Sequence, residues 1–283
     1  MKIALFGAEG QVGRALRRVA ARQGIAVAAF GRAEADITDR AKMRAVLAGA
    51  RADAVVNAAA YTAVDKAESD AAAAFAVNRD GARIVAEEAA RAGVPLIHIS
   101  TDYVFDGAKA GPYVETDPVA PINVYGRSKE AGEAEVRDAG GAAAIVRTSW
   151  VYGVEGANFV KTMLRLGKER PLLRIVDDQH GLPTFADDLA EALLAIAARF
   201  APGTFHVSGG GPPATWFAFA EAIFAATGGG PALERTTTAA FGAPAPRPLN
   251  SVLDCAKAEK TFGIALPPWQ DGLRRMLAAA ESH

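Results

Sequence analysis

Lys2-Ile3-Ala4-Leu5-Phe6-Gly7-Ala8-Glu9-Gly10-Gln11-Val12-Gly13 decides the fold. An apolar run of strand length leads straight into G-x-x-G-x-x-G, and Gln11–Gln23 behind it has a helical pattern. Strand, glycine turn and helix in that order make a phosphate cradle. Glycines allow the tight turn and bring the backbone close to a pyrophosphate, and the N-terminus of the helix faces the anion. A glycine triplet alone is a weak signal, and its place between strand and helix sharpens it.

Outward from this turn, short apolar runs alternate with longer helical stretches. Ile25–Phe30, Ala54–Asn57, Leu96–Ser100 and Ala143–Arg147 read as strands. Ala41–Ala48, Ala71–Ala92 and Val124–Asp138 read as helices. The alternation predicts βαβ units in an α/β fold: a doubly wound, Rossmann-type parallel sheet. Leu173–Val176 and Thr204–Val207 are further strand candidates, expected to extend that sheet. The division expected is a dinucleotide-binding domain over 1–150, with 171–210 contributing strands and a helix to it. Residues 151–170 and 211–283 would form a smaller C-terminal substrate-binding lobe over the carboxyl ends of the strands.

Composition narrows the class. The 283 residues are 51% hydrophobic and 22% charged, with 31 Lys+Arg against 32 Asp+Glu and a formal net charge of -1. Nothing in that balance suggests a nucleic-acid partner, which calls for a basic face. No run approaches the ~20 apolar residues of a membrane span. Met1–Gly7 is too short a run for a signal peptide, so the cytoplasm is the expected compartment. A single cysteine, Cys255, allows no intramolecular disulfide and no cysteine metal cluster. It reads as a small buried filler. The four histidines lack metal-ligand spacing, so no metal site is expected.

The second strand ends at Phe30-Gly31-Arg32. An acidic residue there would hold a ribose 2′-hydroxyl, whereas the guanidinium of Arg32 suits a 2′-phosphate. NADPH is therefore the expected coenzyme, with NADH a second candidate. Asp36 and Ile37 are placed at the adenine, and Thr38 or Asp39 is a candidate cap for the next helix. Asn57-Ala58-Ala59-Ala60 ends the third strand, where small residues let a cofactor lie flat across the sheet edge.

Tyr125-Gly126-Arg127-Ser128-Lys129 puts Tyr and Lys four apart, on one face of a helix. A phenol titrates near ~10 in isolation. A neighbouring ammonium is expected to lower that value and also to hold the nicotinamide ribose. Tyr125 would then give a proton to a carbonyl oxygen as hydride reaches carbon. Y-x-x-x-K alone is weak. Thr101, in Ser100-Thr101-Asp102-Tyr103 at the end of the fourth strand, adds a hydroxyl aimed at the same oxygen.

With those residues in view, the chain resembles the extended short-chain dehydrogenase/reductase family, and within it the dTDP-4-dehydrorhamnose reductases. The resemblance runs in order through Gly7–Gly13, Asn57–Glu68, Ser100–Gly107, Asn123–Lys129, Arg147–Tyr152, Asp177–Gln179, Gly181–Thr184 and Arg247–Asp254. It implies Thr101, Tyr125 and Lys129 as the catalytic set, and reduction of a nucleotide-linked sugar at C4. Asp102 and Tyr103 would also touch the sugar. The related 4,6-dehydratases carry Thr-Asp-Glu, whereas the third position here is Tyr103, which favours simple reduction. Some members are magnesium-bridged dimers using a Glu two residues past the third glycine. Ala15 stands there in this chain, so no metal is carried over. Monomer and homodimer both remain open.

Trp150 is a candidate for stacking on sugar or base. Asn158 and Phe159 are candidates for gripping the nucleotide, and Arg247 for meeting the diphosphate. His98 reads as a packed strand residue, and His180 as either a pocket edge or a surface loop. Asp65 and Glu68, beside Lys66, make either an ion-pair network at the rim of the site or a solvated helix start. Two other functions are open. The regulatory subunit of methionine adenosyltransferase resembles the same reductases without catalysing the reduction, and a 4-epimerase would hold NAD tightly.

Overall fold

The structure, a computed structural model, describes residues 1–281. A six-stranded sheet forms from β1 (Lys2–Phe6), β2 (Ala26–Phe30), β3 (Ala54–Asn57), β4 (Leu96–Thr101), β5 (Ala143–Thr148) and, late in the chain, Gly203–His206. All pairings are parallel, and the order across the sheet is Gly203–His206, β5, β4, β3, β1, β2. The chain leaves β1 towards one edge and returns to the other side of β1 as β3. A crevice therefore opens between the carboxyl ends of β1 and β3, where doubly wound sheets bind ligands.

Both faces of the sheet are covered, so its strands are continuously apolar. Side chains alternate between the two faces. Ile3 and Leu5 of β1 pack with Leu16 and Val19 of α1 (Gln11–Arg22) and with Leu189 and Leu193 of Ala186–Ala198. Ala4 and Phe6 face the opposite layer, with Met43 and Leu47 of α2 (Arg40–Ala50) and Ile84 and Val85 of Ala82–Ala92. The stretch expected as one helix over Ala71–Ala92 carries a π-helical turn at Ala76–Gly81 between two α-helical parts. Gly132 of the helix Val124–Asp138 lies against that turn, where a Cβ would stand 2.0 Å from the Asn78 carbonyl oxygen.

A third core binds the other lobe, around Tyr152, Phe217, Phe219, Trp269 and Met276. Leu172–Val176 belongs to this lobe, which corrects the expectation that it extends the main sheet. It pairs in parallel with Ala232–Thr236 in a separate two-stranded sheet. Its alternating burial, exposed Leu172 and Arg174 against buried Leu173 and Ile175, fits a strand covered on one face only. Among the described residues no helix is long and apolar enough to cross a membrane.

Candidate active site

Gly7 ends β1 with φ +76°, in the left-handed region that favours glycine. A Cβ on Gly7 would stand 2.5 Å from the Ala59 nitrogen, and one on Gly13 would stand 2.2 Å from the Gly7 carbonyl oxygen. Gly7 thus lets the end of β1 touch the end of β3, and Gly13 seats α1 on the turn. Two cavities meet over this contact and share Glu9, Gly10, Ala58 and Ala60 in their walls.

The smaller, about 260 Å³, is lined by Gly7, Arg32, Asp36, Ile37 and Ala59. The larger, about 520 Å³, holds Gln11 and Val12 at one end and Thr101, Asp102, Tyr125, Lys129 and Trp150 at the other. Most of the cofactor and catalytic residues expected from sequence therefore share one continuous crevice. Its length suits an elongated dinucleotide, and the glycine turn leaves bare backbone that could face a pyrophosphate.

Asn57 is an exception to the expected cofactor contacts. It is buried and lines neither cavity. Its Oδ1 accepts from the Ala59 nitrogen (3.1 Å) and its amide meets His98 Nδ1 (3.2 Å). Asn57 braces the Ala58–Ala60 turn from below, and His98 is a packed strand residue. Asp39 caps α2 by accepting from the Lys42 nitrogen (3.1 Å).

Asn123 starts the helix Val124–Asp138 by accepting from Gly126 N (2.7 Å), and Glu68 accepts from Val124 N (2.8 Å). Glu68 is therefore part of the scaffold of this helix. Tyr125 and Lys129 project from its first turns towards the end of β4. Burial pushes the Tyr125 phenol up to about 12, and the Thr101 hydroxyl beside it offsets part of that rise. The expected lowering by Lys129 is absent. The Lys129 ammonium instead donates to the Ile99 carbonyl (2.7 Å). Burial brings Lys129 down to about 8, with Glu133 one turn along opposing the fall. Thr101 donates to Asp102 Oδ1 (3.0 Å). Asp102 is buried, and burial raises its carboxyl to about 6 against the opposing effect of the Ser251 and Thr101 hydroxyls beside it.

Of the remaining expected contacts, Trp150 lines the larger of these cavities, Phe159 and Arg247 line another, and Tyr103 and Asn158 line neither. Trp150 sits at φ +47°, unusual for a bulky residue. Its ring stacks on Trp216 with centroids 3.5 Å apart and planes 4° apart. Trp216, Phe159 and Arg247 line a third cavity of about 690 Å³. The stacked pair thus gives one ring to each chamber.

Arg247 donates to Asp65 Oδ2 (2.9 Å) and to the Ala245 carbonyl (3.0 Å), and lies beside the Tyr103 phenol. Tyr103 packs edge-on to Tyr125, centroids 5.9 Å apart, and burial raises its phenol. Asn158 lines none of the three cavities. Its amide donates to Gln11 Oε1 (3.0 Å) and the Gly153 carbonyl (2.8 Å), and its Oδ1 caps Lys161 N (3.1 Å). The side chain is thus fully used, its bond to Gln11 tying the second lobe to the start of α1 and its oxygen capping its own helix. His180 is exposed, with its backbone bonded to Leu249 and Ser251.

Two supports escaped the sequence reading. Asn78, in the π-helical turn, bonds both the N–H and the carbonyl of Tyr61 (2.8 and 3.0 Å) and the Ser128 hydroxyl (2.9 Å). It ties the cofactor floor to the Tyr125–Lys129 helix, and no local sequence signal marks it. Glu133 is fully buried and accepts from Ser100 (2.6 Å), from Arg147 (2.8 and 2.7 Å) and from Arg137 (2.6 Å). Burial works to raise this carboxyl, but Arg147, Ser100 and Arg137 together hold it below its ordinary value. Its spacing of four from Lys129 on one helix face was the available clue.

A parallel sheet with a glycine turn at its switch point, and Thr, Tyr and Lys converging beside it, defines a Rossmann-type oxidoreductase of the extended short-chain dehydrogenase/reductase class. The family model described as RmlD substrate binding domain matches residues 1–282. A dTDP-4-dehydrorhamnose reductase from Sinorhizobium fredii is 47% identical over 290 residues, covering 99% of this chain and 97% of the relative. Another, from Burkholderia thailandensis, is 45% identical, covering 95% and 96%. The crystal structure of dTDP-4-dehydrorhamnose reductase from Bacillus anthracis in complex with NADP superposes with a TM-score of 0.94 at 38% identity, covering 98% of this chain and 99% of that one. The chain belongs to this family.

The buried pair beneath the site is open to test. Glu133→Ala leaves Arg147, itself 2% exposed, without its counter-charge. Breaking such a pair costs about 3–5 kcal/mol. Chemical denaturation should show a loss of that size, and a loss below ~1 kcal/mol would mean that the pair is not insulated from water.

Proposed function

We propose that this protein reduces the C4 ketone of dTDP-4-dehydro-β-L-rhamnose to give dTDP-β-L-rhamnose, with NADPH as reductant. The observation that carries the reading is the single crevice joining the glycine turn to Thr101, Tyr125 and Lys129. The names of the relatives and the intact catalytic set support a reductase over a non-catalytic regulatory subunit. NADPH, held along Gly7–Gly13 with Arg32 at its 2′ end, supplies the hydride.

The residues of the chain do the rest. A phenol raised to about 12 rests protonated at neutral pH, so Tyr125 is charged with the proton that the new alkoxide needs. Thr101 turns its one hydroxyl hydrogen from Asp102 to the same oxygen and orients the ketone. Lys129 exchanges its bond to Ile99 for the ribose hydroxyls of the coenzyme. Asp102, in the wall of the same cavity, accepts a sugar hydroxyl, and Trp150 presents its face to the sugar. The backbone of Trp150 stays in an unfavoured conformation because the surrounding structure over-determines it, a cost typical of ligand sites. Arg247, between Tyr103 and Asp65 at the edge of the third cavity, meets the diphosphate through its planar fork.

Purified protein supplied with NADPH and dTDP-4-dehydrorhamnose should oxidise one coenzyme per sugar reduced. Tyr125→Phe should bind NADPH normally and lose about 10²–10⁴ in kcat. Near-wild-type turnover in that variant rejects Tyr125 as the proton donor.

The pH dependence has a definite sign. Lys129 carries its charge below about 8 and loses it above. The kcat/KM for coenzyme reports ionisations of the free enzyme, so it should fall as pH rises through that value. Lys129→Met should lower kcat/KM at neutral pH and flatten this limb. A wild-type profile unchanged across pH 8 would remove the lysine charge from coenzyme binding.

A further inference from the structure

Three carboxylates and one guanidinium gather at the end of β2, with Glu9 reaching in from the glycine turn. Arg32 is 85% exposed at its side chain, and its Nε already pairs with Asp36 Oδ2 (3.3 Å). Asp36 is fixed from the other side, since its Oδ1 accepts from the Thr38 nitrogen (3.0 Å) and hydroxyl (2.7 Å). Those bonds, with Arg32, keep the carboxyl below its ordinary value, so it is ionised throughout the neutral range. Glu9 and Glu34 converge over Gly31. From the point a Cβ on Gly31 would occupy, Glu34 Oε2 is 2.8 Å away and Glu9 Oε1 is 3.2 Å away. Glu9, Arg32 and Asp36 are all walls of the 260 Å³ cavity. Arg14 does not neutralise this group directly. Its Nε donates to the Glu9 backbone carbonyl (2.7 Å), and it lines neither cofactor cavity.

Three negative charges against one positive leave this corner at -2, where a 2′-phosphate would add about -1.5 to -2 more. The single cation must also leave Asp36 before it can pair with the phosphate. A 2′-hydroxyl meets neither obstacle, and an ionised Asp36 can accept its hydrogen bond. We propose that Glu9 and Glu34 are specificity-determining residues that oppose the 2′-phosphate and hold down the preference for NADPH. This rests on the reading that the crevice holds a nicotinamide dinucleotide. The glutamates are solvent-exposed, so each acts through a screened charge, and about a threefold to tenfold effect apiece on the coenzyme ratio is expected.

Direct binding titrations with NADP⁺ and NAD⁺, followed by calorimetry, separate the possibilities. The quantity read is the Kd for NAD⁺ divided by the Kd for NADP⁺, in which any effect on the shared pyrophosphate cancels. Glu9→Gln and Glu34→Gln should each raise this ratio about threefold to tenfold, and the double variant should raise it further. Arg32→Ala should lower it. In the wild type the ratio should also rise with added salt, because screening relieves a net repulsion. A wild-type ratio that falls with salt would mean that Arg32 attraction dominates, and would overturn the proposal. So would Gln variants whose ratio matches the wild type. Binding of neither dinucleotide would overturn the cofactor reading itself, and this proposal with it.

Discussion

The backbone of Gly7 lies against the backbone of Ala58 and Ala59 too closely for any Cβ between them. That contact joins the carboxyl ends of β1 and β3 where the chain reverses its direction across the sheet. Everything functional is arranged around it. The helix α1 starts there because Gly13 lets it settle on the turn. The small residues of Ala58–Ala60 floor both cofactor cavities because Asn57 and His98 brace them from beneath. The second lobe is tied to the start of α1, beside the same turn, through the bond from Asn158 to Gln11.

Burial sets the chemistry that this frame permits. In water a tyrosine and a lysine titrate close together, near ~10. Inside the crevice desolvation drives them apart, the phenol up to about 12 and the ammonium down to about 8. Both shifts favour the neutral form, as low dielectric requires. The consequence suits reduction, in which a protonated phenol is the group consumed at each turnover. Glu133 contributes from one turn below, where its charge sustains the lysine while Arg147 and Arg137 balance it.

The fold was legible because its signals are local. Strand, glycine turn and helix are contiguous in Lys2–Gly13, and Tyr125 and Lys129 occupy one face of one helix. Strand membership was harder to read. Leu172–Val176 has the composition of a sheet strand, but its partner, Ala232–Thr236, lies far along the chain, and no pattern within either segment announces the pairing. Asn158 shows a similar limit. A polar residue opening a helix beside an aromatic reads as ligand-binding, yet its amide is consumed by a cap and by Gln11, a contact made only by folding. The missing effect of Lys129 on Tyr125 has the same origin, since spacing of four guarantees a shared face and leaves the competing Ile99 carbonyl unseen.

Hydride delivery by this crevice to C4 of a nucleotide-linked 4-keto sugar can be followed with NADPH deuterated at the transferable position of the nicotinamide, and NMR of the sugar formed from dTDP-4-dehydrorhamnose. One deuterium is expected, on C4 of dTDP-rhamnose, from one face of the nicotinamide. A product without deuterium at C4, or a protein that leaves both compounds unchanged, would contradict that delivery.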